Sequence, residues 1–186
     1  MEKSKSKVIN LGCRLNFFES EVIDNILEKN NVQKKIVINT CAVTNQAVKK
    51  SINEVKRAAK NFPDHKIVVT GCASHLDRDL FLNLKNVSKI VNNHKKTDSQ
   101  YYTDKPGPLK DALAFPFFDN YSSNRSRGTL QIQQGCDHRC TFCIIPFGRG
   151  DSKSLKFNDI LKRTQELIKK GYNEIILTGV DLTSYG

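Results

Sequence analysis

The chain has 186 residues, 38% of them apolar, and its 30 Lys and Arg against 19 Asp and Glu leave a formal net charge of +11. Apolar runs such as Ile36-Val37-Ile38 and Ile175-Ile176-Leu177 fall far short of the roughly 20 residues of a membrane span. The charged start, Met1 to Lys7, has no apolar stretch resembling a secretory signal. The expectation is a globular protein of one large or two small domains, with no membrane partner. Six cysteines are sparse for a disulfide-stapled secreted domain, and a Cys-x-x-Cys spacing inside a cluster fits the reducing cytoplasm. The positive excess suits a polyanion such as nucleic acid. Lys and Asn are also spread throughout (Lys49-Lys50, Asn92-Asn93, Lys95-Lys96), as compositional bias alone produces.

In chain order, the first predicted elements are three short β-branched runs, each ending in a cysteine: Lys7 to Cys13, Lys35 to Cys41 and Lys66 to Cys72. Such runs read as buried parallel strands. Between the first two, Val22, Ile23, Ile26 and Leu27 recur at helical spacing. Between the second and third, Val48, Ile52, Val55 and Ala59 do the same, with Thr44 as N-cap. Strand–helix–strand units of this length pair in parallel through right-handed crossovers. Parallel strands share one C-terminal edge, where open α/β sheets place their sites. Cys13, Cys41 and Cys72 are therefore expected to meet in space as an open three-thiolate site, although a lone buried Cys is commonly just a small core residue. A fourth strand over Val87 to Val91 completes a small doubly wound domain, residues 1–93.

Residues 94–128 read as a linker, with Lys105-Pro106-Gly107-Pro108 and Ser122-Ser123-Asn124-Arg125 as breakers and Phe115, Phe117 and Phe118 docking on a neighbouring surface. Thr129 to Gln133 alternates as a strand. It leads into Cys136-Asp137-His138-Arg139-Cys140-Thr141-Phe142-Cys143, a C-x3-C-x2-C cluster. Three soft thiolates this close select zinc, copper(I) or iron–sulfur iron. Three donors rather than four leave a coordination position open. A helix carrying Ile160, Leu161, Leu167 and Ile168 follows and closes at Gly171 as its C′ residue. Glu174 to Gly179 is then the next parallel strand. One βαβ unit buries little core and leaves a strand edge unpaired. The expectation for 129–186 is therefore the start of a partial (β/α) barrel, truncated, either the front of a longer protein or completed from elsewhere.

Gly135 to Pro146, followed by Gly148-Arg149-Gly150, closely resembles the radical S-adenosylmethionine methylthiotransferases. Leu11-Gly12-Cys13, Asn39-Thr40-Cys41 and Gly71-Cys72 match that family's N-terminal cysteine signatures. Asn39 to Asn45, and Leu177 to Asp181 with Ser184-Tyr185-Gly186, look most like the branch acting on threonylcarbamoyladenosine at position 37 of tRNA. The resemblance implies a Rossmann- or flavodoxin-like N-terminal domain. It implies that Cys136, Cys140 and Cys143 hold a 4Fe–4S cluster whose fourth iron chelates S-adenosylmethionine. Reductive cleavage there yields a 5′-deoxyadenosyl radical. Cys13, Cys41 and Cys72 are implied to hold an auxiliary 4Fe–4S cluster carrying the sulfur, with a second S-adenosylmethionine donating the methyl group. The cofactors carry the hard chemistry, so no side-chain nucleophile or base is nominated. Implied partners are tRNA and an electron donor such as flavodoxin or ferredoxin.

The remaining candidates each have two readings. Phe142 sits where the family places an aromatic near the adenine of S-adenosylmethionine, or it packs behind the loop. His138 is a conceivable fourth zinc ligand of a structural site, made awkward by its place inside a tight loop. Arg149 meets cofactor or tRNA phosphate, or is a solvated loop arginine. Lys49, Lys50, Lys56 and Arg57 lie on one helix and either track tRNA backbone or form a solvated face, the latter being favoured. Lys153 stands where the family more often has arginine. The competing functions are an inactive or non-catalytic iron–sulfur-binding fragment, or a methylthiotransferase acting on another tRNA adenosine or a ribosomal protein.

Overall fold

The computed structural model describes residues 5–103, 115–117 and 126–186. Its first sheet holds four parallel strands in sequence order, β1 (Lys7–Asn10), β2 (Lys35–Thr40), β3 (Lys66–Gly71) and β4 (Val87–Ile90). The intervening helices are α1 (Arg14–Lys29), α2 (Asn45–Asn61), α3 (Cys72–Leu76) and α4 (Arg78–Leu82). Ile36, Ile38, Ile67 and Val69 pack on one face against Val55, Ala58 and Ala59 of α2 and Phe81 of α4. Their neighbours Val37 and Val68 face the other way, onto Ile23 and Leu27 of α1. Burial on both faces is why β2 and β3 are apolar without alternation. As expected, Thr44 caps α2, its Oγ1 accepting the Ala47 N–H at 3.0 Å.

The first ten residues of the predicted linker are part of this layer. Two short 3-10 turns (Asn93–Lys95 and Ser99–Tyr101) lead to Tyr102, which is fully buried against α1 and the sheet and donates its hydroxyl to Lys96 O at 2.6 Å. Phe117 packs on the second half, beneath the Arg163 and Lys170 side chains. Phe118 and the breakers at Lys105–Pro108 and Ser122–Arg125 lie outside the described residues.

The second half is built from β5 (Arg127–Gln131), β6 (Gln133–Gln134), α5 (Ile145–Arg149), β7 (Lys153–Ser154), α6 (Phe157–Lys169) and β8 (Glu174–Thr178). β5 and β8 pair in parallel from Arg127↔Glu174 to Gln131↔Thr178. The single strand expected over 129–133 breaks at Ile132, because β6 turns to pair antiparallel with β7. The end of α6 follows the expectation: Tyr172 N–H reaches Leu167 O and Gly171 N–H reaches Ile168 O, a Schellman closure.

Gly71 is where the first sheet is turned toward its site. Its φ of +100° with ψ of −174° is a region open to glycine alone, and a Cβ there would fall on the Thr40 backbone. The turn lets Cys72 begin α3 directly at the strand end. Gly71→Ala is expected to cost upwards of about 2 kcal/mol from strain and overlap, read as a lower urea midpoint with an unchanged m-value.

Candidate metal centres

All six cysteines are free thiols. Cys13 is the N-cap of α1, Cys41 follows β2, and Cys72 is the first residue of α3. The common C-terminal edge of β1, β2 and β3 thus brings the three together, and they line one cavity of about 170 Å³. Ile144, Ile145, Arg149 and Thr178 to Val180, all from the second half, complete its wall. The close approach depends on Gly148, where a Cβ would stand 3.3 Å from Cys72 Cβ. Burial pushes the Cys41 thiol up, a backbone hydrogen bond from Val43 partly offsets this, and charge on Cys72 and Cys13 adds to the rise. The Asn93 side-chain amide donates to Gly148 O at 2.6 Å and lies 3.6 Å from Cys72 Sγ.

The second triad occupies the loop between β6 and α5. Cys136 N–H donates to Gly150 O at 3.1 Å and Cys143 N–H to Cys140 O at 2.9 Å. Asp137 accepts from Ser152 N–H at 2.9 Å, and Arg139 pairs with Asp151, so the first half of the loop is tied to the segment after α5. Gln133 secures the turn beyond β8: its Oε1 accepts the Val180 and Asp181 N–H groups, both at 2.8 Å. Asp181 then faces the loop, 2.8 Å from His138 Nε2 and 3.9 Å from Cys136 Sγ. Hydrogen bonds from Thr183 and Ser184 hold the Asp181 carboxyl below its ordinary value, against some desolvation and with help from His138.

Among the described residues, the one set of three ligand atoms within 4.8 Å of one another is Cys136, His138 and Asp181; neither cysteine triad closes that far. A single zinc ion with bonds of about 2.3 Å requires its sulfurs within about 4.6 Å of each other. A cluster that gives each thiolate its own iron spans more, and three soft donors with a free position suit it. Each triad supplies three soft thiolates with one position left open, a donor set that a 4Fe–4S cluster can use.

Other predicted residues are placed less uniformly. Phe142 is 91% exposed, so it does not pack behind the loop. His138 is exposed and engaged with Asp181. Lys49, Lys50, Lys56 and Arg57 are exposed on α2, with Arg57 paired to Glu54 at 2.8 Å, and Lys153 is exposed on β7. Arg149 corrects the solvated-loop reading: it is 4% exposed. Its Nη1 and Nη2 reach the two Glu19 oxygens at 2.9 and 3.0 Å, and Nη2 also meets Asn16 Oδ1 at 2.5 Å.

Around that pair lies a buried network the sequence reading missed. Lys96 Nζ stands 2.5 Å from Glu19 Oε2 and 3.3 Å from both Asn16 Oδ1 and Asn39 Oδ1. Asn16 and Asn39 are themselves bonded to Thr40 O, Asn16 O and Ser20 Oγ. Burial alone would push the Glu19 carboxyl up, yet Arg149 and Lys96 outweigh it and hold the group below its ordinary value. Burial pulls the Lys96 ammonium down, with Glu19 opposing and Arg149 adding. Burial also works against the Arg149 charge, but Glu19 and then Cys72 overcome it and raise its pKa. A signal existed for half of this: Asn16 and Glu19 sit on the apolar stripe of α1 beside Leu15, Phe18, Val22 and Ile23. Nothing local marked Lys96.

Residues 5–92 match the family described as Uncharacterized protein family UPF0004, and residues 130–186 match the Radical SAM superfamily. The Threonylcarbamoyladenosine tRNA methylthiotransferase MtaB of Rickettsia prowazekii (strain Madrid E) is 38% identical over 188 residues, covering 98% of this chain and 45% of that protein. The tRNA-2-methylthio-N(6)-dimethylallyladenosine synthase of Campylobacter jejuni is 34% identical over 211 residues, covering 100% and 46%. The Ribosomal protein uS12 methylthiotransferase RimO of Acetivibrio thermocellus is 30% identical over 211 residues, covering 99% and 47%. The chain thus spans a little under half the length of these relatives. With both matches following one another in a single chain, and relatives named as methylthiotransferases along its whole length, it belongs with the radical S-adenosylmethionine methylthiotransferases, a family of transferases that works with S-adenosylmethionine and 4Fe–4S clusters.

Proposed function

We propose that this chain is the cluster-bearing portion of an enzyme that converts threonylcarbamoyladenosine at position 37 of tRNA to its 2-methylthio derivative. The observation that carries the reading is the pair of free cysteine triads, with a cavity at the first whose wall includes residues directly following the second. Cys136, Cys140 and Cys143 are assigned to the cluster that S-adenosylmethionine completes, and Cys13, Cys41 and Cys72 to the auxiliary cluster. When bound, these groups supply the radical that takes hydrogen from the adenine and the sulfur that replaces it. The chain's own residues hold and shield them. Residues 1–93 form the auxiliary-cluster domain in this reading, 94–128 the connection, and 129–186 the first βαβ unit of the radical core.

Several residues gain roles on this basis. Gln133 fixes the 179–181 turn beside both triads through its two accepted hydrogen bonds. In this reading Phe142, largely exposed next to Cys143, is assigned to the adenine of S-adenosylmethionine. The net charge of +11 favours an RNA substrate. A reducing partner such as flavodoxin or ferredoxin and a cytoplasmic setting belong to the same proposal. Among the described residues no helix is long and apolar enough to cross a membrane.

The substrate branch rests on the relatives from Rickettsia and Bacillus subtilis, 38% and 32% identical, whose names specify threonylcarbamoyladenosine. Mass spectrometry of tRNA nucleosides from cells with and without the gene tests it. Loss of the 2-methylthio form of threonylcarbamoyladenosine is the expected result. Loss of the dimethylallyladenosine derivative, or of a methylthio group on ribosomal protein uS12, would overturn the branch and leave the family intact.

A further inference from the structure

Arg149 stands in the wall between two cavities. On one side is the cavity of Cys13, Cys41 and Cys72; on the other is a polar cavity of about 360 Å³ lined by Glu19, His94, Lys96, Gln134, Asp151 and Lys153. The buried groups in that wall do not balance. Arg149 and Lys96 carry two positive charges and Glu19 one negative, with the side chains of all three at most 4% exposed. Asn16, Asn39 and Gln134 complete the hydrogen bonding but add no charge. The excess cation borders the thiols: Arg149 lines the same cavity as Cys13, Cys41 and Cys72, and its neighbour Gly148 lies so near that a Cβ there would stand 3.3 Å from Cys72 Cβ. Buried side chains of this kind are screened far less than charges at the surface.

We propose that the Arg149–Glu19–Lys96 triad is an electrostatic regulator of the auxiliary centre, its single excess positive charge raising the reduction potential of the cluster held by Cys13, Cys41 and Cys72. The inference rests on the reading that these three thiols hold a cluster. Reduction adds one electron, supplied by an external donor, and makes the cluster more negative by one unit. A buried cation stabilises that reduced state more than the oxidised one, and net charge is among the factors that set iron–sulfur potentials. The same triad ties α1, the segment after β4 and α5 into one unit, so the charge sits at a fixed place relative to the thiols.

The test is an EPR-monitored redox titration of the reconstituted chain, following the cluster signal that S-adenosylmethionine leaves unchanged. Arg149→Gln retains the Glu19–Lys96 pair and Lys96→Met retains the Glu19–Arg149 pair, so each variant keeps a buried ion pair while the net charge falls from +1 to zero. Both are expected to favour the oxidised form at least tenfold at a fixed ambient potential, about 59 mV for a one-electron couple. Adding Glu19→Gln to Lys96→Met returns the net charge to +1 on Arg149 alone and should bring the potential back toward the wild-type value. A purely structural role predicts loss of stability in all three and no such reversal. If the double variant does not fold, the two single variants still decide the matter, because both must shift in the same direction. Unchanged potentials overturn this inference alone. A wild-type chain that takes up no iron at Cys13, Cys41 and Cys72 overturns it together with the reading beneath it.

Discussion

Glu19→Ala is expected to destabilise the folded protein by about 3–5 kcal/mol, the range measured when one partner of a buried ion pair is removed. Among the described residues Glu19 is the one carboxylate paired with Arg149 and Lys96, and its loss leaves two buried cations without that counter-charge. Neutral neighbours, Asn16, Asn39 and Gln134, can accept hydrogen bonds but cannot offset charge. Because the network joins residues far apart in sequence, the loss should appear as a cooperative fall in the urea midpoint rather than local fraying. The acid limb gives an independent check. The folded-state pKa of Glu19 is depressed, so its contribution is complete above the unfolded carboxyl value of about 4.3 and is lost as pH falls through the lower folded value. Wild-type stability should decline across that window, and the Glu19→Ala variant should show a shallower decline. A variant within about 1 kcal/mol of wild type would mean the network is solvated in solution.

Replacing a single cysteine is expected to remove a whole cluster, and only one. Cys41→Ala should reduce reconstituted iron and sulfide from about eight of each per chain to about four, and Cys140→Ala should do the same. The surviving signals should be complementary: S-adenosylmethionine should perturb the cluster that remains in Cys41→Ala and leave the one in Cys140→Ala unchanged. Cys41 is buried and Cys140 exposed. Alanine is close in size to a buried thiol that behaves as a small hydrophobe, so apo Cys41→Ala should lose little stability and its iron deficit cannot be ascribed to unfolding. Loss of both clusters from either substitution would show that the triads are one interdependent site.

The long periodic segments were legible in the chain itself. β2 and β3 were readable from their β-branched runs, α1 and α2 from the spacing of Val22, Ile23, Ile26 and Leu27 and of Val48, Ile52, Val55 and Ala59, and the end of α6 from Gly171. The meeting of Cys13, Cys41 and Cys72 followed from parallel pairing alone, since each thiol is fixed to a strand terminus. What escaped was short or non-local. α5 has five residues and β7 two, too few for either period to emerge. Alternation continues across Ile132 and predicts a mid-strand residue, whereas the chain changes sheets there. Tyr102 looked like linker because its burial is decided by α1, many residues away. Arg149 has no local feature to distinguish a solvated arginine from a buried one; its partners lie at positions 16, 19 and 134. Only Glu19, a carboxylate on an apolar helical stripe, announced that a distant cation would be needed.

The central claim is that one chain presents two open three-thiolate cluster sites whose potentials and ligands are separable. Mössbauer spectroscopy of the anaerobically reconstituted chain, with iron and sulfide determined on the same sample and spectra taken before and after S-adenosylmethionine, tests it most directly. The account predicts two 4Fe–4S clusters, about eight iron and eight sulfide per chain, with one iron site of one cluster altered by S-adenosylmethionine. Stoichiometric zinc without sulfide, or a single cluster in the unmodified chain, would contradict it.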